Sequence, residues 1–574
     1  MKKTTKIFAT TLSVFACAAT VLSTAACGSK DQVVSDGKTI NVRAVKMGYG
    51  EEFVYELKSA FEAAYAEEGY KLNVLTPSSD MRGNVALTDL ARGYGETGVD
   101  LYITGTITPD QVGEEGEYGV LVEDIRESVH NQKAIGFDGE EEEFTVGEKL
   151  SDGMEAFLTD SHGKLYGFAY AQSSAGLVVN TRKLAKYGVT ELPVTTNEMF
   201  EIFDTIYFGA NGIQNSEKST TFPVTYVSGT NGYVNCALMT WLAQYDLAGY
   251  NEFWSMQKTV EGVKTDMLED GYEVFNSAAV TSMLSLAYHA MDTRIAAYGS
   301  TTQTLDQAQA KIMKDKNDAV FMFNGDWMLN EVKLNYRNYL KDIEFINTPI
   351  NSDLGKRLFG AGTTHNLSDE KADDVLSLAA KCADQGMTAA EIVAKVAAEL
   401  SVTISEAEAQ TVATARGIVY TRGIEAKAYI TKDSAMKDEA ALVLRMMASD
   451  DFAEMFVKTA NSATPYLGEN EIESDYKFVK QALDVATNPY AINITSTPYG
   501  LRSRLGLTTA IYGVSHVPSA IYNQGVSMYD GKGGVQSGAS VSVYETAAKN
   551  MQKTAYDKAK EKWSEMVGKL STAN

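Results

Sequence analysis

The stretch TINVRAVKMGYGEEFVYELKSAFEAAYAEEGYKLNVL, residues 39–75, decides the fold class. From Thr39 to Val45 apolar and polar side chains alternate with the period of two that a pleated strand requires. After the Gly48-Tyr49-Gly50 loop, Phe53, Leu57, Phe61 and Ala64 recur at the spacing that gathers side chains on one helix face. Lys71 to Leu75 reads as a second strand. A strand, loop, helix and strand in this order predict an open α/β sheet with crossover helices.

Upstream of this unit lie Lys2, Lys3 and Lys6, the apolar run Ile7 to Leu22, and Ser23-Thr24-Ala25-Ala26-Cys27-Gly28. A basic start, an apolar middle and small residues before a cysteine describe a secretory signal over residues 1–26. The pattern resembles a bacterial lipobox, with Cys27 the lipidated residue and Thr24 at the usual leucine position. A run of about 20 residues can also just span a bilayer. However, six Thr or Ser residues fall between Ala9 and Thr24, and polar and acidic residues follow where a basic stop would stand. Residues 27–38 read as a tether reaching about 35 Å when extended.

Downstream, Val85 to Arg92 reads as a helix and Val99 to Thr104 as a strand. Residues 109–148 turn acidic and Gly-rich, as a solvated excursion without the D-x-[DN]-x-[DN]-G pattern of a calcium loop. Extended runs at Lys164 to Tyr170 and Gly176 to Asn180 precede the capping box Thr195-x-x-Glu198, which opens a helix. Ala319 to Phe323 is a buried strand leading into Asn324-Gly325-Asp326-Trp327, and Ile343 to Ile346 is another strand. Between Ser368 and Ala415 the composition shifts to Ala, Glu and Lys, with capping boxes at Thr388/Glu391 and Ser405/Glu408. This segment reads as an inserted helical hairpin or small helical subdomain. Lys427 to Ile430 returns to strand character. The last helix, Val543 to Leu570, gathers Tyr544, Ala547, Met551, Ala555, Ala559 and Trp563 on one face.

Composition and motifs remove several function classes. The 574 residues carry a net charge of −24, so the surface repels polyphosphate and anionic lipid, which excludes nucleic acid as a partner and leaves a lipid anchor as the membrane attachment. Beyond Cys17 and Cys27 only Cys236 and Cys382 remain, which is no disulfide framework; buried thiols are expected. His130, His162, His289, His365 and His516 are scattered without metal-ligand spacing, so no metal and no cofactor is expected. No G-x-S-x-G elbow occurs, and Gln32 stands where a P-loop ending in Gly37-Lys38-Thr39 needs its first glycine. Gly93-Tyr94-Gly95-Glu96-Thr97-Gly98 matches the dinucleotide fingerprint literally, but it follows a helix and precedes a strand, the reverse of the required order, and reads as a turn. Paired carboxylates for glycoside hydrolysis leave no local signature, and the chain is read as a non-enzyme.

Taken in order, the lipobox, the opening unit, GKLYGFAY with GLVVNTRKL (163–184), AVFMFNGDW (319–327), ALVLRMMASD (441–450) and TANSATPY (459–466) resemble bacterial extracellular solute-binding proteins of the maltose-binding-protein-like group, family 1. The resemblance implies a lipid-anchored, monomeric receptor that holds a mono- or oligosaccharide between two hinged α/β lobes and delivers it to ABC importer permeases. A peptide, or an amino acid or organic anion clamped by Arg82 or Arg416, is the alternative solute, and a secreted carbohydrate-active enzyme a further one. The implied organisation is lobe 1 at 39–168 and 425–492, lobe 2 at 169–360 and 493–574, and a helical insertion at 361–424. Sugars call for aromatic faces against C–H surfaces and planar polar groups for hydroxyls. Trp327 leads, with core packing as its competitor, and Asp326 and Asn324 are ligand contacts or helix caps. Tyr170 and Ser173 lie at the inferred hinge, and Tyr49, Asp80 and Thr106 on loops after first-lobe strands, where open sheets place ligands. Trp241 is a stacking or core residue, and Tyr298 has an exposed-looking context.

Overall fold

The computed structural model describes residues 32–570 apart from 47, 115, 152, 161, 209–220, 228–232, 315–317, 422–425, 467–473, 475, 497, 508–516, 531–534 and 537. The signal segment, Cys27 and His516 lie outside the described residues. The strands, in chain order, are β1 (Thr39–Val45), β2 (Lys71–Ser78), β3 (Leu101–Gly105), β4 (Lys133–Ile135), β5 (Glu141–Thr145), β6 (Phe168–Ala169), β7 (Ala175–Asn180) and β8 (Thr221–Thr225). After these come β9 (Gln257–Val260), β10 (Val263–Asp266), β11 (Asp318–Gly325), β12 (Ile343–Asn347), β13 (Ile418–Tyr420), β14 (Ala426–Ile430) and β15 (Ile492–Ile494).

They form two main sheets. The first has the order β2-β1-β3-β14-β6, with β1 parallel to β2 and β3, and β14 antiparallel to its neighbours. The second runs β15-β13-β7-β11-β8, with β12 also paired to β7. Because β1 to β3 are parallel, each needs a crossover helix. The helix Glu52–Ala64 supplies the first, burying Phe53, Val54, Leu57 and Phe61 against the sheet, as the opening sequence predicts. Gly93 to Gly98 form a one-turn helix ended by Gly98 in the left-handed conformation, directly before β3, so the apparent fingerprint is a turn.

The chain crosses between the sheets three times. It passes from β6 to β7 through Tyr170 to Ser174, and it returns to the first sheet between the end of β13 and the start of β14. The third crossing follows the helix Asp450–Ala460, which packs on the helix Glu52–Ala64 in the first-lobe core, and ends at the helix Lys477–Ala486, which packs on β12 of the second sheet. This corrects the assignment of residues up to 492 to the first lobe. Phe478 lies edge-on to Phe345, and Val479, Ala482 and Leu483 share that cluster. Among the described residues no named strand accompanies this crossing, so strand alternation in the sequence does not mark it.

Two segments are more ordered than their composition implies. The helical segment is three helices, Asp369–Asp384, Ala389–Leu400 and Glu406–Arg416, with a core of its own including Val375, Leu376, Ile392, Val396 and Val412. Both expected capping boxes are present. The acidic excursion contains the β4–β5 hairpin, docked on first-lobe helices: buried Lys149 pairs with Glu142 and, at 2.6 Å, with Asp450, and the Phe137 N–H donates to Asp451 at 2.8 Å. The acidic residues are therefore partly countercharges to the lobe rather than solvated side chains alone. Cys236 and Cys382 are buried in different cores and form no disulfide. Among the described residues no helix is long and apolar enough to cross a membrane.

Candidate functional site

The parallel strands β1, β2 and β3 release their loops at the same edge of the first sheet, the edge where open α/β sheets receive ligands. There Thr104 donates its hydroxyl to the Met81 carbonyl at 2.8 Å, and Gly83 approaches so closely that a Cβ would lie 3.1 Å from the Thr106 hydroxyl. These contacts bring the Asp80–Gly83 loop and Thr106 together. Both Asp80 and Thr106 are exposed. Thr106 sits at φ 60°, a left-handed conformation that costs a β-branched residue free energy and that clusters at functional sites.

Behind this edge, Tyr170 donates its hydroxyl to the Thr104 carbonyl at 3.3 Å and stacks on Phe53, while Tyr49 lies edge-on to Tyr170. Tyr170 is fully buried, and burial raises its hydroxyl pKa well above the usual range, so it stays neutral. Ser173 is also buried, on the first crossing.

Trp327 is 6% exposed and belongs to the second-lobe core, at the side of that lobe nearest Gly48. Its indole packs against Tyr233 at 5.1 Å, and its Cβ lies 3.7 Å from where a Cβ on Gly48 would stand, so the second lobe meets the β1 loop of the first at this point. The ring folds back over Gly325, where any Cβ would sit 2.1 Å from the ring, which is why only glycine fits this turn. The Trp327 indole N–H is buried without a hydrogen-bond partner among the described residues. A buried donor left unmade is costly, and a ligand hydroxyl or carbonyl would satisfy it.

The remaining candidates lie apart from the Trp327 ring. Asn324 is buried on β11, its amide oxygen turned to its own chain at Gly325 N–H. Asp326 turns its carboxylate toward the third crossing, accepting from the Ser462 hydroxyl at 2.6 Å. Trp241 is completely enclosed in the second-lobe core, edge-on to Phe323 and donating to the Pro349 carbonyl at 3.1 Å, so it is a packing residue here. Tyr298 is 71% exposed but lies against Phe222, which pairs with the Ala319 end of β11, roughly 16 Å down the strand from Asn324. Arg416 is committed to both Asp384 oxygens, at 2.7 and 2.9 Å, and to the Thr348 carbonyl, which removes it as an anion clamp. Arg82 stays exposed beside the first-lobe loops. Sequence reasoning missed Tyr233 because nothing in its local pattern sets it apart from a core aromatic. Among the described residues no group of three or more His, Cys, Asp or Glu is placed to hold a metal ion.

No protein-family model and no curated protein matches the chain. Solved structures do match in fold. A probable secreted solute-binding lipoprotein from Streptomyces coelicolor is 12% identical with a TM-score of 0.51, covering 90% of this chain and 99% of that one. A chitin oligosaccharide binding protein is 11% identical with a TM-score of 0.50, over 91% and 98% of the two chains. The apo form of RafE from Streptococcus pneumoniae is 12% identical with a TM-score of 0.52, over 93% and 100%. The chain has the two-lobed α/β fold of solute-binding proteins.

Proposed function

We propose that this protein is a non-enzymatic receptor that captures a mono- or oligosaccharide between its lobes and passes it to the permeases of an ABC importer. The observation that carries the reading is Trp327: an aromatic face paired with Tyr233, an unpartnered buried indole N–H, and a position where the second lobe meets the first at Gly48. An aromatic plane covers the C–H surface of a sugar ring, and Asp80, Thr106 and Arg82 on the facing loops offer groups for its hydroxyls. Because such a ligand touches both lobes, it binds the closed arrangement better and shifts the population toward it, a shape that permeases read. Its relatives in fold include a chitin oligosaccharide binding protein. Anchoring through a lipidated Cys27 on the outer face of the cell membrane, with the chain acting as a monomer, belongs to the same reading.

Calorimetric titration against saccharides, amino acids, peptides and organic anions tests it. Binding of one saccharide class without turnover is expected, with Trp327→Ala weakening it by about ten- to a hundredfold, the value of covering one aromatic side chain. Heat from charged solutes alone, lost in Arg82→Ala, would replace the sugar with an anion.

A further inference from the structure

The segment around Ser151 belongs to one lobe and touches the other. Val146 before it and Met154 after it lie in the first-lobe core, and the Ser151 N–H donates to the Pro465 carbonyl of the third crossing at 2.7 Å. Gly153, however, lies against β15 of the second sheet, where a Cβ on it would stand 3.2 Å from the Asn493 carbonyl oxygen. Gln172, in the middle of the first crossing, donates its backbone N–H to the Ala463 carbonyl at 2.8 Å, so the first and third crossings pair here as two antiparallel strands would. The side chains of Ser151, Gln172 and Asn493 close a ring of three hydrogen bonds. The Ser151 hydroxyl donates to Gln172 Oε1 at 3.1 Å, Gln172 Nε2 donates to Asn493 Oδ1 at 2.9 Å, and Asn493 Nδ2 donates to Ser151 Oγ at 3.4 Å. All three residues are buried. Each bond in such a ring polarises the next, and an enclosed donor or acceptor cut out of it has no water to turn to.

We propose that this ring is an interlobe clasp, which holds the two lobes in the arrangement described here against other arrangements and so sets how much of the ligand-free protein adopts it. Ser151 is fixed to the first-lobe core, Asn493 to a strand of the second sheet and Gln172 to a connecting segment, so the Ser151–Asn493 bond runs directly from lobe to lobe. A displacement of one lobe against the other at this point lengthens the ring's bonds past the range in which they hold. Serine, glutamine and asparagine do not titrate, so the clasp keeps the same strength at every pH the fold tolerates. The apparent affinity of a receptor scales with the fraction of it in the binding-competent arrangement, and through that fraction three enclosed side chains tune ligand affinity without touching ligand.

Nitroxides attached through ketone side chains introduced at Tyr55, on the first-lobe helix Glu52–Ala64, and at Leu334, on the second-lobe helix Met328–Tyr336, report the distance between lobes in the full chain without sugar; both positions are exposed, and the cysteines stay untouched. Gln172→Met keeps the length of the side chain and cuts two of the three bonds. It is expected to lower the weight of the parent's distance against all others by about tenfold, the value of one buried hydrogen bond of ordinary strength. Ser151→Ala, which removes a single hydroxyl and needs no repacking, is expected to move the distribution the same way, and joining the two substitutions to add little, because the ring is already cut. Thr431→Val, which cuts the buried bond from the Thr431 hydroxyl to the Val99 carbonyl within the first lobe, is expected to lower the melting temperature and leave the distances as they are. Distances unchanged in both ring variants, or changed as much by Thr431→Val, would overturn the clasp. Since no sugar is present, that result would leave the carbohydrate reading standing.

Discussion

Arg416→Met separates a structural arginine from a ligand clamp. Arg416 ends the helix Glu406–Arg416, grips Asp384 at the end of the helix Asp369–Asp384, and donates to Thr348 just beyond β12, while its own carbonyl accepts from Asn347 at 2.7 Å. It is thus the polar joint between the three-helix segment and the second sheet. Methionine preserves the stem and removes the donors. Asp384 is 40% exposed and regains water, so loss of the ion pair costs only about 1 kcal/mol. The Thr348 carbonyl keeps a long bond from Gln244 at 3.4 Å, and losing its better donor costs roughly 1–2 kcal/mol. The sum, about 2–3 kcal/mol, lowers the melting temperature by roughly 2–3 °C, because an unfolding entropy of about 2.1 cal/mol/K per residue comes to roughly 1.2 kcal/mol/K for a chain of this length. Differential scanning calorimetry reads the loss, and a cycle with Asp384→Asn is expected to return about 1 kcal/mol of coupling. Saccharide affinity is expected to stay unchanged. An unaltered melting temperature together with abolished binding of a carboxylate solute would refute the reasoning and return Arg416 to the ligand.

Other expectations follow from single contacts. Gly325→Val drives the Trp327 ring from its seat over Gly325 and against Tyr233, so titration calorimetry should find a loss of sugar affinity close to that of Trp327→Ala while the protein still melts cooperatively. Thr106→Gly relieves a left-handed β-branched residue and should raise stability in urea by about 0.5–1 kcal/mol; a decrease would mean that the hydroxyl outweighs the strain. His289, stacked between Phe200 and Tyr544, is held by burial to a pKa of about 3, below its ordinary 6.5. A depressed histidine stabilises the fold above 6.5 and loses that contribution as pH falls toward 3, so by pH 5 about 2 kcal/mol is gone. In His289→Phe the urea midpoint should depend less on pH over that interval than in the parent.

Much of the fold is legible in local pattern. Strand alternation at Thr39 to Val45, the helical period from Phe53 to Ala64 and the capping boxes at Thr195, Thr388 and Ser405 each express interactions within a few residues of one another, and each forms as its spacing predicts. The order of the glycines before β3 likewise marks the apparent dinucleotide fingerprint as a turn without any tertiary information. Long-range pairing decided the rest. Trp241 and Trp327 carry the same side chain, yet one is enclosed by its own lobe and the other meets Gly48 of the opposite lobe. Arg416 reads as an open cation until Asp384 is brought to it, and Asp326 reads as a cap until Ser462, 136 residues away, closes over it. Whether a polar or aromatic side chain serves a ligand depends on which partners reach it first. That is fixed by contacts distant in sequence, which spacing along the chain does not record.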